Sequence, residues 1–306
     1  MYTTMKYILD DASKNYYGVI AGCAINLETA RGLIAAAHEE NAPLIIITGQ
    51  GQMTKHGSAQ LMVPLIKTLA EKTPVPVALC LDHGKDFERV THAFRHGFSS
   101  IMLDGSAYPL EENIRQTQKV VELSHSQGLS VEGEIGHVGV AAELDGRDEA
   151  LYTTAEDAKY FAQSTGVDCL AIAVGTAHGK YPKGFVPSIN FERIREIKQA
   201  INGLPLALHG SSGSGDENIV KAVEAGINKI NVATDILSAF RDRAGELLLK
   251  DPDMECVSFF MELEQAVKKV AKHWIRLSKS SGKAGNFKPQ YPFNEVVAKV
   301  YTQGGE

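Results

Sequence analysis

Short apolar runs alternate with stretches of helical period eight times along this chain, and that alternation limits the fold more than any other feature. The strand-like runs are Gly18 to Ile25, Pro43 to Thr48, Val75 to Asp82, Ser99 to Asp104, Leu129 to Glu134, Cys169 to Gly175, Leu204 to His209 and Lys229 to Thr234. Apolar runs of this length, bounded by glycine and proline, read as buried parallel strands. Helical period covers Leu27 to Glu40, Ala59 to Lys72, Phe87 to Arg95, Glu111 to Gln127, Thr154 to Thr165, Asn190 to Ala200, Asp216 to Ala225 and Asp235 to Leu249. Such alternation predicts an α/β chain closed into a (β/α)8 TIM barrel. An open doubly wound sheet is the alternative, but eight units in about 235 residues fit closure better. A further helix is predicted over Phe259 to Ser280. The chain thus reads as one domain over 1–306, with the barrel over about 18–250 and a C-terminal helix and tail over about 255–306.

A barrel places its active residues at the carboxyl ends of its strands. Three histidines fall there, each before a glycine: His83 in VALCLDHG, His178 in LAIAVGTAHG and His209 in LPLALHG. A single histidine at a strand end reads as an ordinary satisfied polar residue. Three with the same placement read as the imidazoles of a catalytic zinc with an open position. Asp82, Asp104 and Glu134 also end runs. Asp104 and Glu134 read equally well as helix caps or lysine partners. Adjacent residues on a strand face opposite ways, so Asp82 and His83 reach one site only if the backbone turns between them.

After His209 comes the small-residue loop HGSSGSGDEN. Backbone amides in such a loop, with a helix end behind them, attract an anion, and barrels commonly bind phosphate after strands seven and eight. Those loops are Gly210 to Gly213 and Asn231 to Thr234.

The 306 residues carry a formal net charge of −6, which argues against a nucleic-acid surface. No apolar stretch approaches the roughly 20 residues of a membrane span, and MYTTMKYILDDA lacks the apolar core of a signal peptide. Cys23, Cys80, Cys169 and Cys256 are scattered, which fits free thiols in a reducing compartment. Cytoplasmic location, with no membrane or nucleic-acid partner, is the expectation.

The segments LDHG, SIMLDGSAYPLEENI, VEGEIGHVG, VGTAHGKY, LHGSSGSGDENI and INVATD resemble the class II, metal-dependent ketose-phosphate aldolases, which include fructose- and tagatose-bisphosphate aldolases. The resemblance runs in register from about Gly18 to Asp235. It implies that His83, His178 and His209 bind zinc and that Asp82 is the proton-transfer aspartate. It associates Asp104 and Glu134 with a second or resting metal position. It implies a dihydroxyacetone phosphate site at Gly179, Gly210, Ser211, Ser212, Asn231, Val232, Ala233 and Thr234. The implied cofactors are Zn2+ and, beside it, a monovalent cation, Na+ or K+. The implied partners are a sugar phosphate and further copies of the chain, as a homodimer or homotetramer.

The chemistry suits those residue types. Aldol cleavage must stabilise an enediolate, and a Lewis acid on the ketone oxygen does so. A lysine Schiff base at Lys180 or Lys229 is the other route. A carboxylate such as Asp82 can take the C4 hydroxyl proton, or instead orient His83. Two other classes stay open: a different zinc barrel enzyme acting on a sugar phosphate, and a non-catalytic barrel that binds one.

Departures from the family pattern bear on the substrate. Where the family carries a basic residue after the barrel to hold a distal phosphate, this chain reads Asp251-Pro252-Asp253-Met254-Glu255. Cys23 stands for an asparagine and Ala107 for a histidine. An aldehyde without phosphate is therefore expected, with a bisphosphate as the alternative, unless Lys283 or Lys288 restores the contact.

Overall fold

The computed structural model describes residues 1–141, 149–182 and 184–287. Its strands are β1 (Tyr2–Thr3), β2 (Val19–Cys23), β3 (Leu44–Gly49), β4 (Val77–Gly84), β5 (Ser100–Leu103), β6 (Ser130–Ile135), β7 (Gly139–Val140), β8 (Cys169–Ile172), β9 (Ala177–His178), β10 (Leu206–Leu208) and β11 (Ile227–Val232). The helices are α1 (Met5–Lys14), α2 (Leu27–Glu39), α3 (Gln50–Lys55), α4 (Ala59–Glu71), α5 (Phe87–His96), α6 (Leu110–His125), α7 (Ala155–Thr165), α8 (Phe191–Ala200), α9 (Asp216–Ala225), α10 (Thr234–Lys250) and α11 (Cys256–Leu277).

Parallel pairing runs β2-β3-β4-β5-β6-β8-β10-β11 and returns to β2, so the sheet closes on itself. This is the (β/α)8 TIM barrel that the eightfold alternation predicts. All eight expected runs form strands, most within one to three residues of the predicted ends.

Alternation along the strands sorts side chains into two cores. Ile20, Leu44, Ile46, Val77, Leu79, Leu170 and Leu206 face the helices. Val19, Ala21, Cys23, Ile45, Ile47, Ala78, Cys80, Cys169, Ala171 and Ala207 fill the interior. Period-two side-chain direction requires this split. Many interior residues are small, which leaves room for polar groups further up. Cys23, Cys80 and Cys169 are buried free thiols, as expected, and Cys256 is exposed.

The segment ahead of Gly18, expected to lie outside the barrel, closes its lower end. Thr4 caps α1 by accepting from the Tyr7 amide. Met5, Ile8, Leu9 and Ala12, on one stripe of the helix, then pack into the interior core. β1 adds beside β4, pairing Tyr2 with Val77. Lys198 Nζ ties this floor together, donating to Ser13 Oγ at 2.8 Å and Asn228 Oδ1 at 2.6 Å.

The expected C-terminal helix is α11, which begins three residues early. It runs along α2, where Arg31 pairs with Glu264 at 3.0 Å and Lys268 and Lys272 both pair with Glu39. Among the described residues, no helix is long and apolar enough to cross a membrane.

Candidate active site

The upper end of the barrel gathers His83, His178 and His209, whose ring centroids lie 4.8 to 5.7 Å apart. Each arrives by a different route. His209 follows β10 directly and is fully buried. His83 sits near the end of β4 with φ +50°, where the register with β5 shifts between Leu81 and Gly84. That left-handed turn, costly for a non-glycine residue, settles the geometry of the Asp82-His83 pair. Asp82 keeps the inward parity of Ala78 and Cys80, and the turn swings His83 inward as well. His178 is not at the end of a barrel strand, contrary to expectation. β8 stops at Ile172, and His178 lies six residues on, in β9, held by a two-residue pairing with β7.

His83 Nε2 and His209 Nδ1 approach to 3.1 Å. Ligands about 2.0–2.1 Å from a tetrahedral metal stand about 3.3 Å apart, so the two nitrogens are placed as co-ligands would be. The opposite ring nitrogens meet carboxylates: His83 Nδ1 and Asp104 Oδ2 at 2.9 Å, His209 Nε2 and Glu132 Oε1 at 2.9 Å. Such outer partners fix the tautomer of a metal-binding imidazole. Glu134 Oε2 is buried with no hydrogen-bond partner among the described residues, 3.8 Å from both His83 Nδ1 and His209 Nδ1. Ligand atoms of His83, His178 and His209 lie within 4.8 Å of one another, and so do those of His83, Asp104 and Glu134. The two sets share His83 and can hold a dication in either of two adjacent positions.

Charge in the site is unevenly shared. Burial, then Asp104, pushes the Glu134 carboxyl up to about 8. Burial lowers the His83 imidazole, but Asp82, the Asp104 hydrogen bond and Glu134 together carry it up to about 9. Burial, then His209 and His83, pushes His178 down to about 3. The excess of carboxylates thus retains protons where a cation would displace them.

Below the histidines lies a polar group that the sequence reading missed. Glu132 and Lys229 are fully buried inside the barrel and paired at 2.8 Å. Lys229 Nζ also donates to Asn231 Oδ1 at 2.6 Å, and Asn231 Nδ2 donates to Asp82 Oδ1 at 2.9 Å. Period two gives the signal: Glu132 shares its face with Glu134, and Lys229 shares its face with Asn231. The pairing overturns Lys229 as a Schiff-base lysine. Although burial opposes the charge, Glu132 holds the ammonium above its usual range, so no free amine is offered. Lys180 is exposed.

The expected phosphate residues converge beside the histidines. Gly179, Gly210, Ser211, Ser212, Ala233 and Thr234 line one cavity with Asp82, His83 and His178. The N-terminus of α10 opens at this cavity; its N-cap residue, Ala233, supplies no side-chain cap, and although the Asp235 amide meets Ser212 Oγ at 3.3 Å, other first-turn amides are left for an anion. Two expected residues differ in role. The Val232 side chain belongs to the outer core, and Asn231 lines the cavity but spends its side-chain amide on Lys229 and Asp82. On the other side of His83, a second recess is lined by Lys85, Asp104, Ser106, Ala107, Tyr108, Glu134 and His137.

A closed parallel barrel with an imidazole and carboxylate cluster at the carboxyl ends of its strands is the architecture of a TIM-barrel enzyme. The chain belongs to the class-II fructose-bisphosphate aldolase family, whose model matches residues 3–283. It is 39% identical to a fructose-bisphosphate aldolase of Geobacillus stearothermophilus over 82% of this chain and 87% of that one. It is 35% identical to a fructose-bisphosphate aldolase of Helicobacter pylori, over 90% of this chain and 97% of that one. Among solved structures it is similar to the YdjI aldolase of Escherichia coli K12, with TM-score 0.81 and 33% identity over 93% of this chain and 100% of that one. Members of this family are metal-dependent lyases, and zinc is their general metal.

Proposed function

We propose that this chain is a zinc aldolase that reversibly cleaves a ketose phosphate into dihydroxyacetone phosphate and an aldehyde without phosphate. One observation carries the reading: Asp82, two of the three histidines and the Gly210 to Ser212 loop face a single cavity. His83, His178 and His209 would hold the zinc, with Asp104 and Glu134 as its alternative position. A dication held there would supply Lewis-acid polarisation of the ketone oxygen. The amides of Gly179 and Gly210 to Ser212, with those at Ala233 and Thr234, hold the phosphate. Asp82 takes the C4 hydroxyl proton as the C3–C4 bond breaks, the electron pair of that bond passes to C3 as the enediolate, and a proton delivered to C3 completes dihydroxyacetone phosphate. In condensation the proton returns to the new hydroxyl. Asn231 keeps one Asp82 oxygen occupied and leaves the other for the substrate.

The aldehyde half of the cleft supports the unphosphorylated partner. Ala107 offers no polar contact there. Asp253 lies in the exposed turn between α10 and α11. Lys283 stacks over Tyr17 at 5.7 Å, beside the floor of the barrel and away from the site. Lys288 lies outside the described residues. A second reading, a bisphosphate substrate, is favoured by Lys85, which lines the same half. Release of triose phosphate from a panel of ketose mono- and bisphosphates, with and without chelator, tests the proposal. Release that ignores the chelator, or none from any ketose, would overturn it.

Exposed Leu248, Leu249, Val257, Phe260 and Met261 cluster around the α10–α11 turn, which supports assembly as a homodimer or homotetramer. Cytoplasmic location and a monovalent cation, Na+ or K+, in addition to zinc remain part of the same proposal.

A further inference from the structure

Lys229 is the one fully buried lysine among the described residues, and the aldol chemistry makes no direct use of it. Its ammonium has three protons to donate and nothing to accept with. It donates to Glu132 Oε1 at 3.1 Å and Asn231 Oδ1 at 2.6 Å, and stands 2.8 Å from Glu132 Oε2 as an ion pair. Both neighbours lead to the working groups. Because the ammonium cannot accept, it holds the oxygen side of the Asn231 amide. Only the Nδ2 side is left for Asp82, which it meets at 2.9 Å. Asp82 Oδ1 therefore faces a donor and accepts a hydrogen bond from it. On the other branch, the Glu132 carboxylate takes the His209 Nε2 proton, which leaves the Nδ1 lone pair facing His83 Nε2 at 3.1 Å, with Asn231 Nδ2 3.5 Å away.

We infer that Lys229 is a positioning residue that sets the amide orientation of Asn231, and through it the accepting state of Asp82, while its pair with Glu132 sets the His209 tautomer. The arrangement is not needed to keep the barrel filled. Apolar side chains of similar volume commonly replace buried ion pairs at no loss of stability. The inference rests on Asp82 being the acid and base.

The test uses the full chain with both charges removed together, Glu132→Gln with Lys229→Met, so that no lone charge is buried. The amide oxygen that replaces the carboxylate can still accept from His209. We expect wild-type levels of bound zinc, inorganic phosphate binding unchanged by calorimetry, and KM within about threefold. Turnover should fall about a hundredfold, the usual cost of a misplaced reacting group. Asn231→Ala alone should lose a similar factor. Adding it to the neutral pair should cost no more than about threefold further, since both changes break one chain of contacts. Wild-type turnover in the neutral pair, or a combined loss equal to the product of the separate ones, would overturn the inference. If the methionine variant does not fold, Glu132→Gln with Lys229→Gln is measured in the same way. Asp82→Ala is run in parallel: if it keeps full turnover, the assignment of Asp82 fails. If it loses turnover and the neutral pair does not, only the role of Lys229 fails.

Discussion

His83 Nδ1 and Asp104 Oδ2 stand 2.9 Å apart, and the contact decides which nitrogen of the ring is free. With a proton held toward Asp104, the Nε2 lone pair points to the other two histidines. Asp104→Asn removes the charge and keeps the shape. Its zinc affinity is expected to fall about 10- to 100-fold, the usual loss when such a carboxylate is changed. Competition with a chelator of known affinity measures it; unchanged affinity would separate Asp104 from the metal.

Asp82→Ala is expected to retain zinc and phosphate binding but to lose about two to four orders of magnitude in turnover. Metal content and rate measured on one preparation separate two roles. If metal affinity falls together with rate, Asp82 serves His83 rather than the substrate.

Gly210 has φ +64°, and a Cβ there would run into the backbone of Ala177, the residue before His178. Gly210→Ala should therefore damage phosphate binding and displace His178 together. We expect a stability loss of about 1–3 kcal/mol by the cost of strained backbone and a weaker response of Tm to added zinc. Differential scanning calorimetry with and without zinc reads both effects.

For the aldehyde partner, kcat/KM for a ketose 1-phosphate is expected to equal or exceed that for the matching 1,6-bisphosphate. If the bisphosphate instead wins tenfold or more, Lys85→Met should remove roughly that advantage, because a charge-assisted contact is worth about 1.5–3 kcal/mol. Persistence of the preference in Lys85→Met would place the contact elsewhere.

Glu39 bonds Lys268 and, on its other oxygen, Lys272, which fastens α2 to α11 and lowers its carboxyl to about 2. A carboxylate depressed in the fold stabilises it above the unfolded value of 4.5 and loses that effect as pH falls toward 2. The group is partly exposed, so the effect is small, at most about 1 kcal/mol after screening. Glu39→Gln should lower Tm by about 1–2 °C at pH 7, with the gap to wild type closing between pH 4.5 and 2.

The eight strands and their helices were legible because strand faces and helix stripes differ in period, and the glycine ends fixed where histidines and carboxylates emerge. His178 was harder: its place depends on the pairing of Gly139 with Ala177, two residues long and without any pattern of its own. The joint use of Asp82 and His83 hinged on one backbone angle, which no residue type at that position announces. Glu132 and its pairing with Lys229 were hidden because a charged residue within an apolar run reads as a strand end or a solvent face, until its partner across the barrel is known. The α1 floor was legible in principle. Met5, Ile8, Leu9 and Ala12 carry the i, i+3, i+4, i+7 stripe behind a threonine cap.

That floor sets an order of events during synthesis. Tyr2–Lys14 leaves the ribosome ahead of every barrel strand, yet it docks on β4, on Ser100 through the Met5 amide, and on the Lys198 and Asn228 clamp. At about 5–20 residues per second, its last partners follow roughly 10–40 s later. The stripe of Met5, Ile8 and Leu9 must remain uncovered on the nascent chain for that interval, and contacts of such sequence separation are slow to form. Chaperone dependence of this protein should therefore trace to its first helix, and replacing Ile8 and Leu9 with polar residues should relieve that dependence while leaving the finished barrel open from below.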